Sequence, residues 1–454
     1  MTYPEAIQYL ESFINYEKIP FWPYKQSLKL ERIKDFLASI NNPQAGLRYI
    51  HVAGTKGKGS TCAFLAYILR EAGYKTGLYT SPHLSDFRER IRILHPRSKT
   101  LDPKPDFEGM ISEADLIGLI KRLKPAIDKY NQGSKYGALS FFEVYTALAY
   151  VYFKEEKVDF AVLETGLGGR LDATNVVEPL TCVITPISYE HTDKLGGTLK
   201  EIAMEKAGII KRHNVITSQR HKLVVISAPQ EEEGRSVIRE RCKSTNAKLF
   251  EVGKDITYKN KGRTFEVSGI SGKYRDFKIK LLGEHQKINA TSAVAAIEAL
   301  MMNGINIRAK HIKNGFYNTI WPGRCEIVSK NPFVVLDGAQ NVASARRLKE
   351  TIKENFRYKR MILILGVSKD KDIKGICNEL YEISDEVILT KASNPRAADL
   401  QTLAGYFNGK PQHLTKNIQE AKNKGFDLAK SEDLILVCGS LFVVGEYRND
   451  KVRS

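Results

Sequence analysis

The stretch HVAGTKGKGST (51–61) sets three glycines and two lysines between the apolar run Leu47, Tyr49, Ile50 and the helix-like CAFLAYILREAG. Glycines at 54, 57 and 59 permit positive φ and let backbone N–H groups approach a polyphosphate, while the following helix N-terminus favours an anion. Lys58 stands where a phosphate-binding lysine belongs, Thr55 lies inside the loop, and Ser60 can offer a hydroxyl to Mg²⁺. The spacing departs from the strict phosphate-loop pattern, because Gly59 separates Lys58 from Ser60-Thr61. Lys56 reads as a solvated companion. The chemistry is that of a bound phosphate, and the loop leaves open whether it serves hydrolysis, a switch, transfer or activation of a second substrate.

Two further stretches carry candidate ligands. In LETGLGGRLDATN (163–175), Glu164 ends a buried strand, where α/β sheets place their ligands, and a carboxylate suits Mg²⁺. The glycines after it make room for substrate. In YEHTDKLGGTLKEIAMEKAGIIK (189–211), His191 follows another strand end and Lys206 comes fifteen residues later. A lysine ammonium has donors only and cannot ligate a metal, so Lys206 reads as a helix-surface lysine unless carbamylation turns it into an oxygen ligand. Farther on, Asp337 ends a strand in VVLDGAQN, Asn341 is placed to cap the next helix, and Arg324 in WPGR leaves a linker toward bound phosphates.

The elements that must hold these residues follow a strand–helix alternation. A helix over 27–40, a strand over 47–53, a helix after the glycine loop and a strand over 75–80 come first. Residues 96–112 read as an exposed excursion. FFEVYTALAYVYF (141–153) is apolar nearly all round and predicts a buried helix, and 158–166 and 181–188 are β-branched runs suited to a parallel sheet. KLFEV, TFEVSG and DFKIKLL, between 248 and 282, predict a small antiparallel sheet. Helices are expected at 285–302 and 309–317, and Pro-Gly punctuation at 319–324 marks a linker. Beyond it, FVVLDGA, MILILGVS, EVILTKAS and LILVCGSLFVVGEY alternate with helices as a second, smaller α/β domain. The expected fold is therefore a phosphate-loop, doubly wound α/β domain (1–318) with an appended antiparallel sheet, a linker (319–323), and a Rossmann-like α/β domain (324–454).

Composition narrows the classes. With 454 residues, 42% hydrophobic and 27% charged, the chain is expected to form two globular domains rather than a disordered one. No segment has the uninterrupted apolar length of a membrane span, and no signal peptide is read. The six cysteines are dispersed without a CxxC pair, as in a reduced cytoplasmic protein. The formal net charge of +18 suits anionic ligands, but it is spread along the chain without a nucleic-acid-binding signature.

In this order, HVAGTKGKGST, TSPHLSDFRERIRI (80–93), LSFFE, LETGLGGRLDATN, EHTDKLGGTLKEIAMEKAGI, LLGEHQKINA, WPGR, DGAQN, GVSKDKDI and CGSLFVVGE resemble the folylpolyglutamate synthase/dihydrofolate synthase family, a branch of the Mur-type ATP-dependent amide ligases. The resemblance spans essentially the whole chain. It implies that ATP phosphorylates the carboxylate of dihydropteroate or of a folate's terminal glutamate, and that L-glutamate attacks the acyl phosphate. By position, Gly54, Thr55, Gly57, Lys58, Gly59 and Ser60 would hold ATP phosphates, with Gln286, Asn289, Arg324 and Asp337 also on ATP. Ser81 and Glu164 would bind one Mg²⁺, and Glu164, His191 and carbamylated Lys206 a second, so Lys58, Lys206, His191, Arg324 and Asp337 form the catalytic set. Ser140, Phe142, Asp172 and Ala173 would line the pterin side. One departure stands out: the family's DGAHN reads DGAQN here, with Gln340 unable to carry the proton a histidine can. A monomeric cytoplasmic enzyme acting on small molecules, with neither nucleic acid nor membrane as partner, is expected. A Mur-type ligase for another carboxylate, or a nucleotide switch that has lost catalysis, are the alternatives.

Overall fold

The structure, a computed structural model, describes residues 1–19, 21–96, 107–212, 222–262 and 264–449. Most of the excursion expected at 96–112 lies outside them. The described residues divide into two compact units, one of residues 1–83, 88–280 and 286–319, the other of 84–87, 281–285 and 320 onward.

The first unit is built on a seven-stranded sheet. In chain order its strands are β1 (Tyr49–Ala53), β2 (Thr76–Tyr79), β3 (Ile91–Leu94), β4 (Phe160–Glu164), β5 (Pro179–Ile184), β6 (Val224–Ser227) and β7 (Lys248–Glu251). Their spatial order is β3-β2-β4-β1-β5-β6-β7, parallel throughout except for β3, which runs antiparallel to β2. The central strands are buried along their length, as expected of a parallel sheet covered by helices on both faces. The helix Lys58–Glu71 is buried on every side from Ser60 to Arg70 rather than along a single stripe. The helix Phe141–Glu155 opens with a capping box in which Ser140 and Glu143 satisfy each other's backbone N–H groups. Glu143 also receives Arg32, Nε to both carboxylate oxygens at 2.9 Å, so this buried charge is paired.

The small antiparallel sheet differs from expectation in its strands. It consists of β8 (Thr257–Lys261), β9 (Thr264–Ser268) and β10 (Lys273–Phe277). KLFEV belongs instead to the large sheet as β7, where Lys248–Glu251 pairs in parallel with Val224–Ser227. The edge of the large sheet offers Leu249 a place among the core side chains, whereas the strand that replaces it, TYKNK, is largely exposed and carries too little apolar pattern to announce itself. The turn of β9–β10 is held by Glu298, from the middle of the helix Glu284–Met302. Its buried carboxylate accepts the N–H groups of Ile270, Ser271 and Gly272 and the hydroxyl of Tyr274.

The second unit holds a six-stranded sheet of β11 (Glu326–Lys330), β12 (Phe333–Leu336), β13 (Met361–Leu365), β14 (Glu386–Leu389), β15 (Gln412–Leu414) and β16 (Leu434–Cys438), ordered β11-β12-β16-β13-β14-β15. Only β11 is antiparallel to its neighbour. Alternation along β13 explains the sandwich: Met361, Leu363 and Leu365 enter one apolar cluster, Ile362 and Ile364 the other. Asn341 caps the helix Val342–Asn355, its Oδ1 accepting the Ser344 N–H at 2.9 Å.

Replacing Glu298 with Ala removes the acceptor of the N–H groups at 270–272 and of the Tyr274 hydroxyl. The expected cost is about 3 kcal/mol, together with faster amide exchange at those residues; unchanged protection there would contradict the anchoring role.

Candidate active site

Four adjacent parallel strands, β2, β4, β1 and β5, end on the same edge of the sheet. They deliver Ser81, Glu164, the glycine loop from Gly54 and the segment 185–191 to one region, the carboxyl edge where doubly wound sheets bind ligands.

The glycine loop is fixed from two sides. Gly54 has φ +148, and a Cβ there would stand 1.9 Å from Thr185 Oγ1. Gly57, at φ +85, is the N-cap of the helix Lys58–Glu71, and a Cβ on it would lie 2.2 Å from Asn289 Oδ1. Both glycines are therefore required by conformation and by space. Asn289 Nδ2 in turn donates to Gln286 Oε1 at 3.0 Å, so two expected ATP residues form one buried pair against the loop. Thr55 is pinned to the β5 side: its N–H donates to Pro186 O, and its Oγ1 donates to Ser188 O and accepts from Ser188 N. Gly59 and the buried Ser60 form the first turn of the helix.

Charge converges on this loop. Lys58 Nζ lies 4.0 Å from Glu164 Oε1, while Glu164 Oε2 accepts the Ser81 N–H at 3.2 Å. Lys206, at 3% exposure, is no surface lysine: its Nζ donates to Gly54 O at 2.8 Å. Burial pushes its ammonium down to about 7, and Lys58 adds repulsion. Lys56 also departs from the solvated reading, since its Nζ is paired with Glu190 Oε1 at 2.8 Å. Burial pushes the Glu190 carboxyl up, but Lys56, His191 and Lys58 outweigh it and hold it well below the usual carboxylate range. His191 has φ +53 at the start of the short helix Thr192–Leu195.

The loop after Glu164 is organised by Asp172. This buried carboxylate accepts Leu167 N–H at 2.9 Å on one oxygen, and Thr174 N–H and Oγ1–H at 3.0 and 2.5 Å on the other. Burial raises its pKa and these hydrogen bonds oppose the rise. Ala173 is buried beside it. Phe142 lies over Gly166, where a Cβ would meet its ring at 2.7 Å. Ser140 caps the helix Phe141–Glu155: its hydroxyl donates to Glu143 Oε2 at 2.7 Å and accepts the Glu143 N–H. The same loop packs on the Lys206 helix, with Arg170 paired to Glu205 at 2.8 Å and Tyr24 OH donating to Glu205 at 3.1 Å.

Arg324 and Asp337 meet within the second unit. Asp337 accepts Cys325 N–H and Ala339 N–H at 2.8 Å each; burial raises its pKa, and the Arg324 guanidinium opposes this. Gln340 is half-buried, its N–H donating to Ser344 Oγ. Glu190, Glu205 and Thr185 carried no signal in the sequence, because their partners lie 134 or more residues away for Lys56–Glu190 and Tyr24–Glu205 and 132 away for Thr185–Ala53.

Among the described residues no three His, Cys, Asp or Glu side chains are grouped for a metal ion. The donors present are instead one carboxylate, serine hydroxyls and a lysine of depressed basicity that can carry a carbamate. That set suits Mg²⁺, which takes few protein oxygens and shares substrate phosphates.

Residues 130–297 match the Mur ligase middle domain, and 323–441 the Mur ligase glutamate ligase domain. The dihydrofolate synthase/folylpolyglutamate synthase of Bacillus subtilis is 34% identical over 434 residues, covering 92% of this chain and 94% of that protein. The chain belongs to the folylpolyglutamate synthase/dihydrofolate synthase family. The fold agrees: a Mycobacterium tuberculosis folylpolyglutamate synthase complexed with ADP matches at TM-score 0.87 and 29% identity, covering 100% of this chain and 98% of that one. E. coli FolC in complex with DHPP and ADP matches at TM-score 0.84 and 30% identity, covering 100% and 99%.

Gly57→Ala should weaken ADP binding at least about a hundredfold, about 2.7 kcal/mol, by calorimetry; an affinity within about threefold of wild type would contradict the steric role of Asn289.

Proposed function

We propose that this enzyme joins L-glutamate to the carboxylate of dihydropteroate, to the terminal γ-carboxylate of a folate, or to both, at the expense of ATP. Family membership supports the ligase reaction. The observation that carries it into this chain is the convergence of Lys58, Glu164 and the buried Lys206 on the Gly54–Ser60 loop.

A carboxylate is a poor acyl donor at neutral pH. Transfer of the ATP γ-phosphoryl group to it forms an acyl phosphate and releases ADP; the glutamate amine then attacks the acyl carbon and phosphate leaves. The protein's part is positioning and charge neutralisation. Lys58 and the loop N–H groups hold phosphate oxygens. Ser81 and Glu164 are the residues to hold one Mg²⁺, with His191 and carbamylated Lys206 joining Glu164 for a second. The chemistry a bound Mg²⁺ supplies there is neutralisation of phosphate charge. Phe142, Asp172 and Ala173 face the pterin side in this reading, with Ser140 acting through the helix it caps. Gln286 and Asn289 contact ATP through the loop they support, and Arg324 and Asp337 keep their assignment to ATP from WPGR and DGAQN.

The domain division at 319–323 and a monomeric state belong to the same proposal. No described helix is long and apolar enough to cross a membrane. All six cysteines are buried free thiols, which supports a reducing, cytoplasmic setting.

Turnover with ATP and glutamate on dihydropteroate, compared with tetrahydrofolate monoglutamate, tests the reading. Amide product from at least one is expected; ADP release without product from either would contradict it. Lys206→Ala should nearly abolish ligation, and a short-chain carboxylate should partly restore it. An active alanine variant, or an inactive one that no carboxylate rescues, would refute the carbamate. Gln340→His should change activity by no more than about tenfold, about 1.4 kcal/mol of barrier; a much larger gain would show that charge at this position matters.

A further inference from the structure

His51 opens the phosphate-loop motif, yet its side chain faces away from phosphate chemistry. It lies at the centre of β1 with no solvent exposure, flanked by Ile50 and Val52, where an apolar residue is the ordinary choice. Its Nε2 is 2.8 Å from Thr174 Oγ1, and its Nδ1 is buried without a partner. An orphaned ring nitrogen costs about 1–3 kcal/mol, so an imidazole here needs a use for its other nitrogen.

The hydrogen bonds define that use. Thr174 has one hydroxyl proton, and it is donated to Asp172 Oδ1 at 2.5 Å. The Thr174 oxygen must then accept from His51, which places the imidazole proton on Nε2. Burial, with Lys211 adding to it, pushes the His51 imidazole down to about 3, so the ring is neutral at any working pH. The chain runs in one direction, from His51 Nε2–H through Thr174 Oγ1–H to the Asp172 carboxylate. Tyr150 OH fixes Thr174 from the other side, donating to its carbonyl at 3.1 Å. The second Asp172 oxygen holds Leu167 N–H, one residue beyond Gly166, against which Phe142 rests.

We propose that His51 and Thr174 are positioning residues for the pterin-side substrate, fixing the Asp172 carboxylate and with it the 166–174 loop under Phe142. This rests on the reading of Asp172 and Phe142 as substrate-facing. It adds a direct link between the strand that launches the ATP loop and the pocket for the acceptor. Because His51 sits three residues before Gly54 on a fully buried strand, the two binding regions share one rigid support.

The test compares His51→Leu, Thr174→Val and Thr174→Ser with wild type, measuring KM for dihydropteroate and for ATP, ADP binding, and thermal unfolding. Losing one hydrogen bond in a chain that ends on a carboxylate should raise the dihydropteroate KM about 10- to 100-fold in His51→Leu and Thr174→Val. The KM for ATP should stay within about twofold, and Thr174→Ser, which keeps the hydroxyl, should lie within about threefold of wild type on both. Equal rises in both KM values, a lowered melting temperature with an unchanged dihydropteroate KM, loss of ADP binding, or a Thr174→Ser variant as impaired as Thr174→Val would each overturn the proposal, because each is what a purely structural core contact gives. A wild-type enzyme that makes no amide from any folate substrate would overturn the underlying functional reading as well.

Discussion

The tight turn between Gly54 and Gly57 is the constraint on which the site depends. Gly54 presses on Thr185 and Gly57 on Asn289, leaving no room for a Cβ at either. Because the backbone is trapped between the segment after β5 and the helix Glu284–Met302, the helix Lys58–Glu71 starts at one defined place and aims its N-terminus outward. Lys206 completes the clamp by donating to the Gly54 carbonyl. In the function proposed above, a loop so held would present its N–H groups to nucleotide without having to order them, which lowers the entropic cost of binding.

Around this turn the charges are arranged so that cations outnumber the carboxylates that pair with them. Lys56 is committed to Glu190, Lys58 stands near Glu164, and Lys206 is desolvated until it is scarcely basic at neutral pH. Such a setting accepts polyphosphate readily. A buried lysine poised between ammonium and free amine can react with carbon dioxide, exchanging a positive charge for a negative one and changing the local demand from an anion to a divalent cation. In the function proposed above, this one residue would link phosphate binding to metal binding. The 166–174 loop is packed on the Lys206 helix through Arg170 and Glu205.

Much of the fold was legible because parallel strands buried on both faces write nearly continuous apolar runs, as in FAVLE and MILIL, and because glycine loops follow strand ends. The error over KLFEV and TYKNK arose where pattern is weak: an edge strand of the large sheet and a hairpin strand of the small one look alike by periodicity, and only tertiary packing of Leu249 separates them. Site residues with their own motif, such as Lys58 and Glu164, were visible. The burial of Lys206 is not visible from local sequence, since a lysine in KEIAMEKAGI looks solvated until Gly54 is known to lie beside it. Lys56–Glu190 and His51–Thr174 are pairings across more than 120 residues, and no local spacing encodes them.

The central claim is that the loop directs the ATP γ-phosphoryl group onto a substrate carboxylate. Dihydropteroate labelled with ¹⁸O in its carboxylate, turned over with ATP and glutamate, tests this most directly through mass spectrometry of the phosphate released. One labelled oxygen per phosphate, in step with amide formed and with ADP as the nucleotide product, is predicted. Unlabelled phosphate accompanying amide product, or AMP and pyrophosphate in place of ADP, would contradict it.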